Sequence, residues 1–186
     1  MTVINGQTLL RLAPIKDMAT QKMKIHGVSY GLSEAGYDIR IKQAVHFKQN
    51  LYPSGEHWEV SSYNPEEHHP DFVPVWRKGK FTLASAIEEF HIPGNLVGVV
   101  HDKSTWARLG LSVFNTVIEP GWKGFLTLEL VYHGSGELLI PAGAGIAQVI
   151  FSHISDIANY GDGKYQNAAD RPQEAIMLDK LEIPIK

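Results

Sequence analysis

Glycine and proline interrupt the apolar stretches of this chain at short intervals, with 17 Gly and 10 Pro in 186 residues. Short extended runs between turn residues, with few segments of helical period, predict an all-β sandwich or distorted barrel. No repeat of solenoid period is present, and the length suits a single domain with a sizeable core. Asn5 stands where it would cap a short helix through Leu12, with Leu9, Leu10 and Ala13 inward and Pro14 closing it. Residues 16–30 read as irregular. Tyr37-Asp38-Ile39-Arg40-Ile41 alternates and predicts a strand, with Asp38 and Arg40 on one face as an ion pair, and a second apolar stretch follows at 44–47. Residues 52–74, rich in Pro, Glu and His, predict a long excursion containing a strand or hairpin. Residues 81–83 predict an extended piece, 85–90 one or two helical turns, and 96–100, 111–114, 125–132, 138–140 and 146–151 strands. The Gly-, Asp- and Asn-rich stretch 160–172 predicts a mobile tail.

Composition narrows the chemistry. The chain has no cysteine, which removes disulfides, cysteine nucleophiles and thiolate metal sites together. Zinc nucleobase deaminases need a Pro-Cys-x-x-Cys pair around the metal, so His57-Trp58-Glu59 resembles only half of their motif. A net charge of −3 supplies no basic field for duplex nucleic acid. Apolar runs such as 96–100 are too short to span a bilayer. The N-terminal residues lack a basic-then-apolar leader pattern, so the expectation is a cytoplasmic protein without a membrane partner.

Residues 101–129 concentrate the side chains that carry chemistry. Asp102 or Ser104 would cap a short helix ending at Leu109, with Gly110 suited to the left-handed stop. Ser104 and Arg108 are four apart and share a helix face, Lys103 is adjacent, and the N–H groups at the helix start suit a phosphate. The same spacing also fits a capping serine beside a surface arginine. In the following strand Leu126, Leu128 and Leu130 take one face, Thr127 and Glu129 the other. Glu129 is then either a solvated strand position or a buried acid of raised pKa that passes a proton between water and a leaving group. Glu119 reads first as a turn-entrance acid, and Glu66-Glu67-His68-His69, between Pro65 and Pro70, as a solvated loop rather than a metal site. The expectation is that hydroxyl, guanidinium and carboxylate come close together, serving a phosphorylated substrate with an uncharged ring.

Several blocks, in order, resemble the dCTP deaminase family. Residues 81–90 followed by His91-Ile92-Pro93-Gly94-Asn95-Leu96-Val97 resemble its approach segment. Lys103-Ser104-Thr105-Trp106-Ala107-Arg108-Leu109-Gly110-Leu111 resembles its Arg-Ser-Ser-Leu-Ala-Arg-Leu-Gly-Leu block, and Ile118-Glu119-Pro120-Gly121-Trp122-Lys123-Gly124 its Ile-Asp-Pro-Gly-Trp-x-Gly turn. Leu128-Glu129 stands at the catalytic Leu-Glu, Gly145-Ile146-Ala147-Gln148 at the Ile-Gly-Gln strand, and Lys164-Tyr165-Gln166 at the lid's Lys-Tyr-Gln. Ala35-Gly36-Tyr37-Asp38-Ile39-Arg40 resembles the upstream Ala-Ser-Tyr-Asp-Leu-Arg-Leu.

The resemblance implies the distorted jelly-roll-like β-barrel of the dUTPase-like type and a homotrimer with active sites at subunit contacts. It also implies Mg²⁺ arriving with the triphosphate, no zinc, and a mobile C-terminal lid around residues 155–186. Glu129 would be the proton shuttle, with Arg108 orienting water and ring and Ser104 beside them. Lys103 and Thr105 would face the phosphates, and Gln148 would line the phosphate site from a neighbouring chain. Thr116, Val117, Glu119 and Trp122 would contact substrate, and Tyr160, Lys164 and Tyr165 would belong to the lid. The chain departs from the family in a slightly shorter Arg108–Glu119 segment that leaves Asn115-Thr116-Val117 at the pyrimidine pocket. It also has Glu119 for Asp, Lys103 for Arg, and Ala168 where a base-contacting Gln is expected. The implied reaction is zinc-independent hydrolysis of dCTP to dUTP and ammonia. A dUTP or dCTP diphosphatase using Glu119, a bifunctional enzyme and a non-catalytic nucleotide binder share the same fold.

Overall fold

Short strands account for most of the ordered chain in the computed structural model, which describes residues 2–67 and 73–177. In chain order the elements are β1 (Val3–Ile4), α1 (Gly6–Leu12), β2 (Lys22–Ile25), β3 (Val28–Leu32), β4 (Tyr37–Arg40), β5 (Ala44–Tyr52) and β6 (Gly55–Tyr63). They continue with β7 (Arg77–Lys78), β8 (Phe81–His91), β9 (Leu96–Asp102), α2 (Ser104–Ala107), β10 (Leu111–Val113) and β11 (Val117–Ile118). Last come β12 (Lys123–Tyr132), β13 (Leu138–Ile140) and β14 (Gly145–His153). Among the described residues they make three sheets. One is seven-stranded in the order β11-β9-β14-β4-β3-β2, with β1 also on β14; the others run β10-β12-β8 and β13-β5-β6-β7. The fold class expected from sequence, an all-β distorted barrel, is the one found.

Alternation accounts for the core. Leu128 and Leu130 on β12, Val149 and Phe151 on β14, and Val45 and Phe47 on β5 are fully buried, as period-2 strands with one apolar face require. β12 pairs on one edge with β8 and on the other with β10, so its backbone is held from both sides.

Several local expectations change. Residues 85–90 belong to strand β8, not to helical turns. Ala84, Ala86, Glu88 and Phe90 all point inward, and a glutamate at an inward position hides the alternation. Arg40 supports it, donating from its backbone N–H at 2.8 Å and from Nε at 2.9 Å to the Glu88 carboxylate. Burial pushes Glu88 above the usual carboxylate range while Arg40 pulls the other way. Arg40 is therefore not the partner of Asp38, which takes Lys103 Nζ at 2.5 Å and Ser29 Oγ at 3.0 Å. Two residues on one strand face met different neighbouring elements.

Residues 16–30, read as irregular, contain the β2–β3 hairpin, whose two turn residues His26 and Gly27 have φ of 50° and 77°, the positive pair that a type I′ turn requires. The hairpin sought within residues 52–74 begins earlier, since β6 pairs back along all of β5. Asn5 occupies the cap position of α1 but its Nδ2 donates to Glu34 O at 2.8 Å, with no side-chain cap bond. In α1 Leu9 is buried, Leu10 is half-buried, and Ala13 is the exposed left-handed cap residue.

β4 and β14 approach so closely that a Cβ on Gly36 would lie 2.2 Å from Val149 O. Backbone cannot yield there as a flexible side chain would. Gly36→Ala should lower the unfolding free energy by about 2–3 kcal/mol or more. Gly136→Ala, with nothing within 4 Å, should stay within about 0.5 kcal/mol of wild type. Urea unfolding of the two variants measures this, and equal midpoints would contradict the close approach.

Candidate active site

A cleft of about 1130 Å³ opens on the described surface. Its walls come from β8, β12, the loop after β10, the end of β6 and the tail from residue 160 onward. Glu129 lies on this wall, two residues from Thr127 on the same strand face, both side chains in the cleft because Leu128 and Leu130 face the core. Glu129 is half-buried, and burial alone raises its pKa above the ordinary 4.5. A carboxylate that is desolvated without a compensating cation holds a proton more readily than a solvated one.

Thr116, Val117, Glu119, Trp122, Tyr160 and Tyr165 line the same cleft. Trp122 is buried and donates from Nε1 to Tyr165 O at 2.7 Å. The tail is docked: Tyr160 N–H donates to Pro120 O at 2.7 Å, Asn167 N–H to Lys123 O at 3.0 Å, and Phe125 N–H to Ala168 O at 3.0 Å. Farther on, Gln173 N–H donates to Thr127 Oγ1 at 3.0 Å and Lys42 Nζ to Asp170 Oδ2 at 2.7 Å. Lys164 is in this tail but outside the cleft lining; its ammonium lies over the Tyr165 ring and donates to Ile176 O. Residues 178–186 of the expected lid lie outside the described residues. Ala168, where the family pattern has Gln, packs into the core and bridges Gly124.

The remaining expected site residues form a second group. Trp106 anchors α2 by burying its ring and donating from Nε1 to Gly145 O at 2.6 Å. That leaves Ser104, Thr105 and Arg108 exposed, with Arg108 Nη1 donating to Ser104 O at 3.4 Å. Lys103, the N-cap residue, is tied to buried Asp38. Gln148 sits on β14 opposite Asp38 and His101, its Nε2 donating to Ser33 Oγ at 2.8 Å. None of these five lines the Glu129 cleft.

The hydroxyl, guanidinium and carboxylate thus do not meet within one chain. β10 separates them: His133 N–H donates to Gly110 O beside α2, while Phe114 N–H donates to Glu129 O at the other end. Four residues of extended strand span about 13 Å. The helix itself is shorter than expected, ending at Ala107, and Asp102 does not cap it, its Oδ1 accepting from Val113 N–H at 2.7 Å instead.

Sequence reading missed Asp38 as the partner of Lys103 and missed the Lys42–Asp170 and Thr127–Gln173 links. Each joins residues tens of positions apart, and no periodic signal marks them. The acids set aside earlier keep structural roles. Glu59 is held by Tyr52 and Asn50, Glu67 accepts from Asn64 Nδ2, and His68 and His69 lie outside the described residues.

With this geometry in view, comparison with known proteins is decisive. The profile of the family described as dCTP deaminase-like matches residues 9–154. The chain belongs to that family. A dCTP deaminase of Chlamydia muridarum is 36% identical over 163 residues, covering 82% of this chain and 85% of the relative. One from Protochlamydia amoebophila is 39% identical over 127 residues, covering 67% and 66%. The crystal structure of 2′-deoxycytidine 5′-triphosphate deaminase from Agrobacterium tumefaciens shares the fold at 14% identity. Its TM-score is 0.51, over 83% of this chain and 50% of that one.

In a dCTP deaminase-like chain, the perturbed Glu129 leaves a trace in stability. Its folded pKa is raised above 4.5, so the folded protein keeps a proton that the unfolded chain releases. Stability from this group is full below the ordinary value and is lost as pH rises through the raised one. Glu129→Gln cannot ionise and should flatten that part of the profile, with Glu88, raised in the same direction, contributing equally to both proteins. Melting temperatures between about pH 4 and 8 test this; parallel curves would mean that Glu129 titrates normally.

Proposed function

We propose that this protein is a dCTP deaminase that hydrolyses the C4 amino group of a deoxycytidine triphosphate, giving dUTP and ammonia. The observation that carries the reading is Glu129, a half-buried acid of raised pKa in a cleft, in a chain of the dCTP deaminase-like family. The Glu129 carboxylate takes a proton from water as the oxygen bonds to C4 and passes that proton to N3. It then takes the remaining proton from the C4 hydroxyl and returns it to the amino group, so that the C4–N4 bond breaks, ammonia leaves and C4 becomes a carbonyl. A desolvated carboxyl of raised pKa serves in both directions. Thr116 and Val117 border the ring, and the docked tail with Tyr160 and Tyr165 keeps bulk water from it.

The phosphate side is assigned to Lys103, Thr105 and Gln148 and the reacting centre beside Glu129 to Ser104 and Arg108, and completing a site then takes a neighbouring copy of the chain. A homotrimer with a site at each contact satisfies this. The Lys103 charge is committed to Asp38, so Lys103 orders the start of α2, and Arg108, exposed, meets the nucleotide. Mg²⁺ is carried by the triphosphate oxygens. Among the described residues no cluster of three or more acidic or histidine side chains would hold it independently. Among the described residues no helix is long and apolar enough to cross a membrane, and a cytoplasmic nucleotide pool is the proposed setting.

Purified protein with Mg²⁺ and dCTP should release ammonia and dUTP, followed by mass spectrometry. Glu129→Gln should retain binding and lose turnover, and Arg108→Ala should lose about 2–4 kcal/mol of transition-state stabilisation. Pyrophosphate with a monophosphate, or no turnover, would overturn the reading.

Shared sites give a separate test. Mixing inactive Glu129→Gln with inactive Arg108→Ala protein under conditions of subunit exchange should restore activity at about a quarter of the sites. Mixtures that stay inactive after demonstrated exchange would place both residues of a site in one chain.

A further inference from the structure

The tail is fastened unevenly along its length. Residues 160–168 are held to the Pro120 turn and to β12 by backbone bonds at Tyr160, Asn167 and Ala168. Gln166 adds two more, its Oε1 accepting from Lys123 N–H at 2.8 Å and its Nε2 donating to Gly121 O at 3.0 Å. Ala168 lies so close over Gly124 that a Cβ on that glycine would come within 2.5 Å of Ala168 N. The far end is caught again: Ile176 N–H donates to Tyr165 Oη and Lys164 Nζ to Ile176 O, both at 3.2 Å.

Between these anchors residues 169–175 form a loop, and Asp170, Gln173 and Glu174 within it line the Glu129 cleft. Among the described residues its polar links to the body of the domain come from Thr127 and Lys42 alone. Thr127 Oγ1 accepts from Gln173 N–H on the strand face that also carries Glu129. Lys42 reaches in from the turn after β4, where its own N–H donates to Ser85 O at 2.8 Å. Its side chain is only 19% exposed. The ammonium meets Asp170 Oδ2 at 2.7 Å and Asp170 O at 3.4 Å, with Glu67 Oε1 at 3.8 Å. A partly covered pair of this kind is screened less than one in open solvent.

We infer that Lys42 is a positioning residue for the reaction: through Asp170 it seats loop 169–175 across the Glu129 cleft and, by releasing it, sets how fast nucleotide enters and leaves. The part that concerns nucleotide rests on the deaminase reading above. A loop pinned at both ends opens by swinging out its middle, which breaks only the links along that middle. Residues 160–168 therefore stay docked while the cleft exchanges its contents. With the loop seated, bulk water is kept from the acid; with the loop released, ammonia and dUTP depart.

Hydrogen–deuterium exchange read by mass spectrometry tests the seating on the protein alone. Lys42→Met removes the charge and keeps the length of the side chain. Exchange across 169–175 should rise about two- to fivefold, with 160–168 unchanged. Asp170→Asn, in an exposed position, should act alike and serves if Lys42→Met fails to fold. The double variant should go no further than either single one. Unchanged exchange in 169–175, or an equal rise over 160–168, would overturn the inference. Passage is read by stopped-flow binding of dCTP with Mg²⁺ in the Glu129→Gln background, where no turnover occurs. Adding Lys42→Met should speed association and dissociation together. A residue that merely touched the nucleotide would speed dissociation alone, and that result, or unchanged rates, would refute the role assigned to Lys42. A Glu129→Gln parent that binds no dCTP would instead refute the deaminase reading, while the exchange data still decide whether Lys42 holds the loop.

Discussion

Alternation along β12 is the constraint on which the rest of the site depends. Leu128 and Leu130 are fully buried, and a pleated backbone then has no choice about where Thr127 and Glu129 point. β8 and β10 hold the strand on both edges, so the acid sits on a rigid element rather than a loop. The mobile-looking parts of the sequence are fastened to this same strand. Phe114 bonds to Glu129 O, Asn115 to Thr127 O, Gln173 to Thr127 Oγ1, and Ala168 to Phe125. Cleft floor, the loop after β10 and the tail thereby share one frame of reference, which limits how far any of them drifts relative to the carboxylate.

The second group of polar residues is organised by a different buried charge. Asp38 is almost fully buried and draws in Lys103 from the start of α2 and Ser29 from β3. Removing Lys103 would leave the Asp38 charge uncompensated in the interior, a cost far larger than that of a surface pair. Lys103 is therefore an anchor for the helix first. It is a point charge without the fork of an arginine, and its ammonium is already neutralised. Ser104 and Arg108 remain free to face outward and do not line their own chain's cleft. Separation of the two groups is a property of the topology, since β10 stands between helix and acid.

Legibility in the sequence followed how local each feature is. The strands expected at 37–41 and 125–132 are found at 37–40 and 123–132. These, the left-handed backbone of Gly110, with its φ of 90°, and the outward face of Glu129 follow from spacing within a few residues and were readable, although the helix before Gly110 ends at Ala107. The β8 segment was misread because Glu88 occupies an inward position, which makes a strand look like a solvated helix until Arg40 is seen opposite it. Asp38 and Arg40 were readable as one face but not as two separate ion pairs. Their partners, Lys103 and Glu88, lie 65 and 48 residues away. The docking of residues 160–175 was hidden for the same reason. Its Gly-, Asp- and Asn-rich composition predicts mobility when taken alone, whereas its order comes from backbone donors and acceptors on β12 and the Pro120 turn.

By itself, then, the sequence determined the β class, the absence of cysteine chemistry, the ordered motifs that mark the dCTP deaminase-like family, and the side of its strand on which Glu129 stands. These are set by residue type and by the period of the backbone, which act over one or two turns or pleats. Only the tertiary structure decided that Glu129 is desolvated rather than merely outward-facing, that Lys103 is already paired, that the Asn115 amide is spent on Thr127 O, and that Arg108 and Glu129 belong to different surfaces. Burial, ion pairing and separation depend on which distant strand arrives opposite a residue, and that information resides in no single stretch of chain.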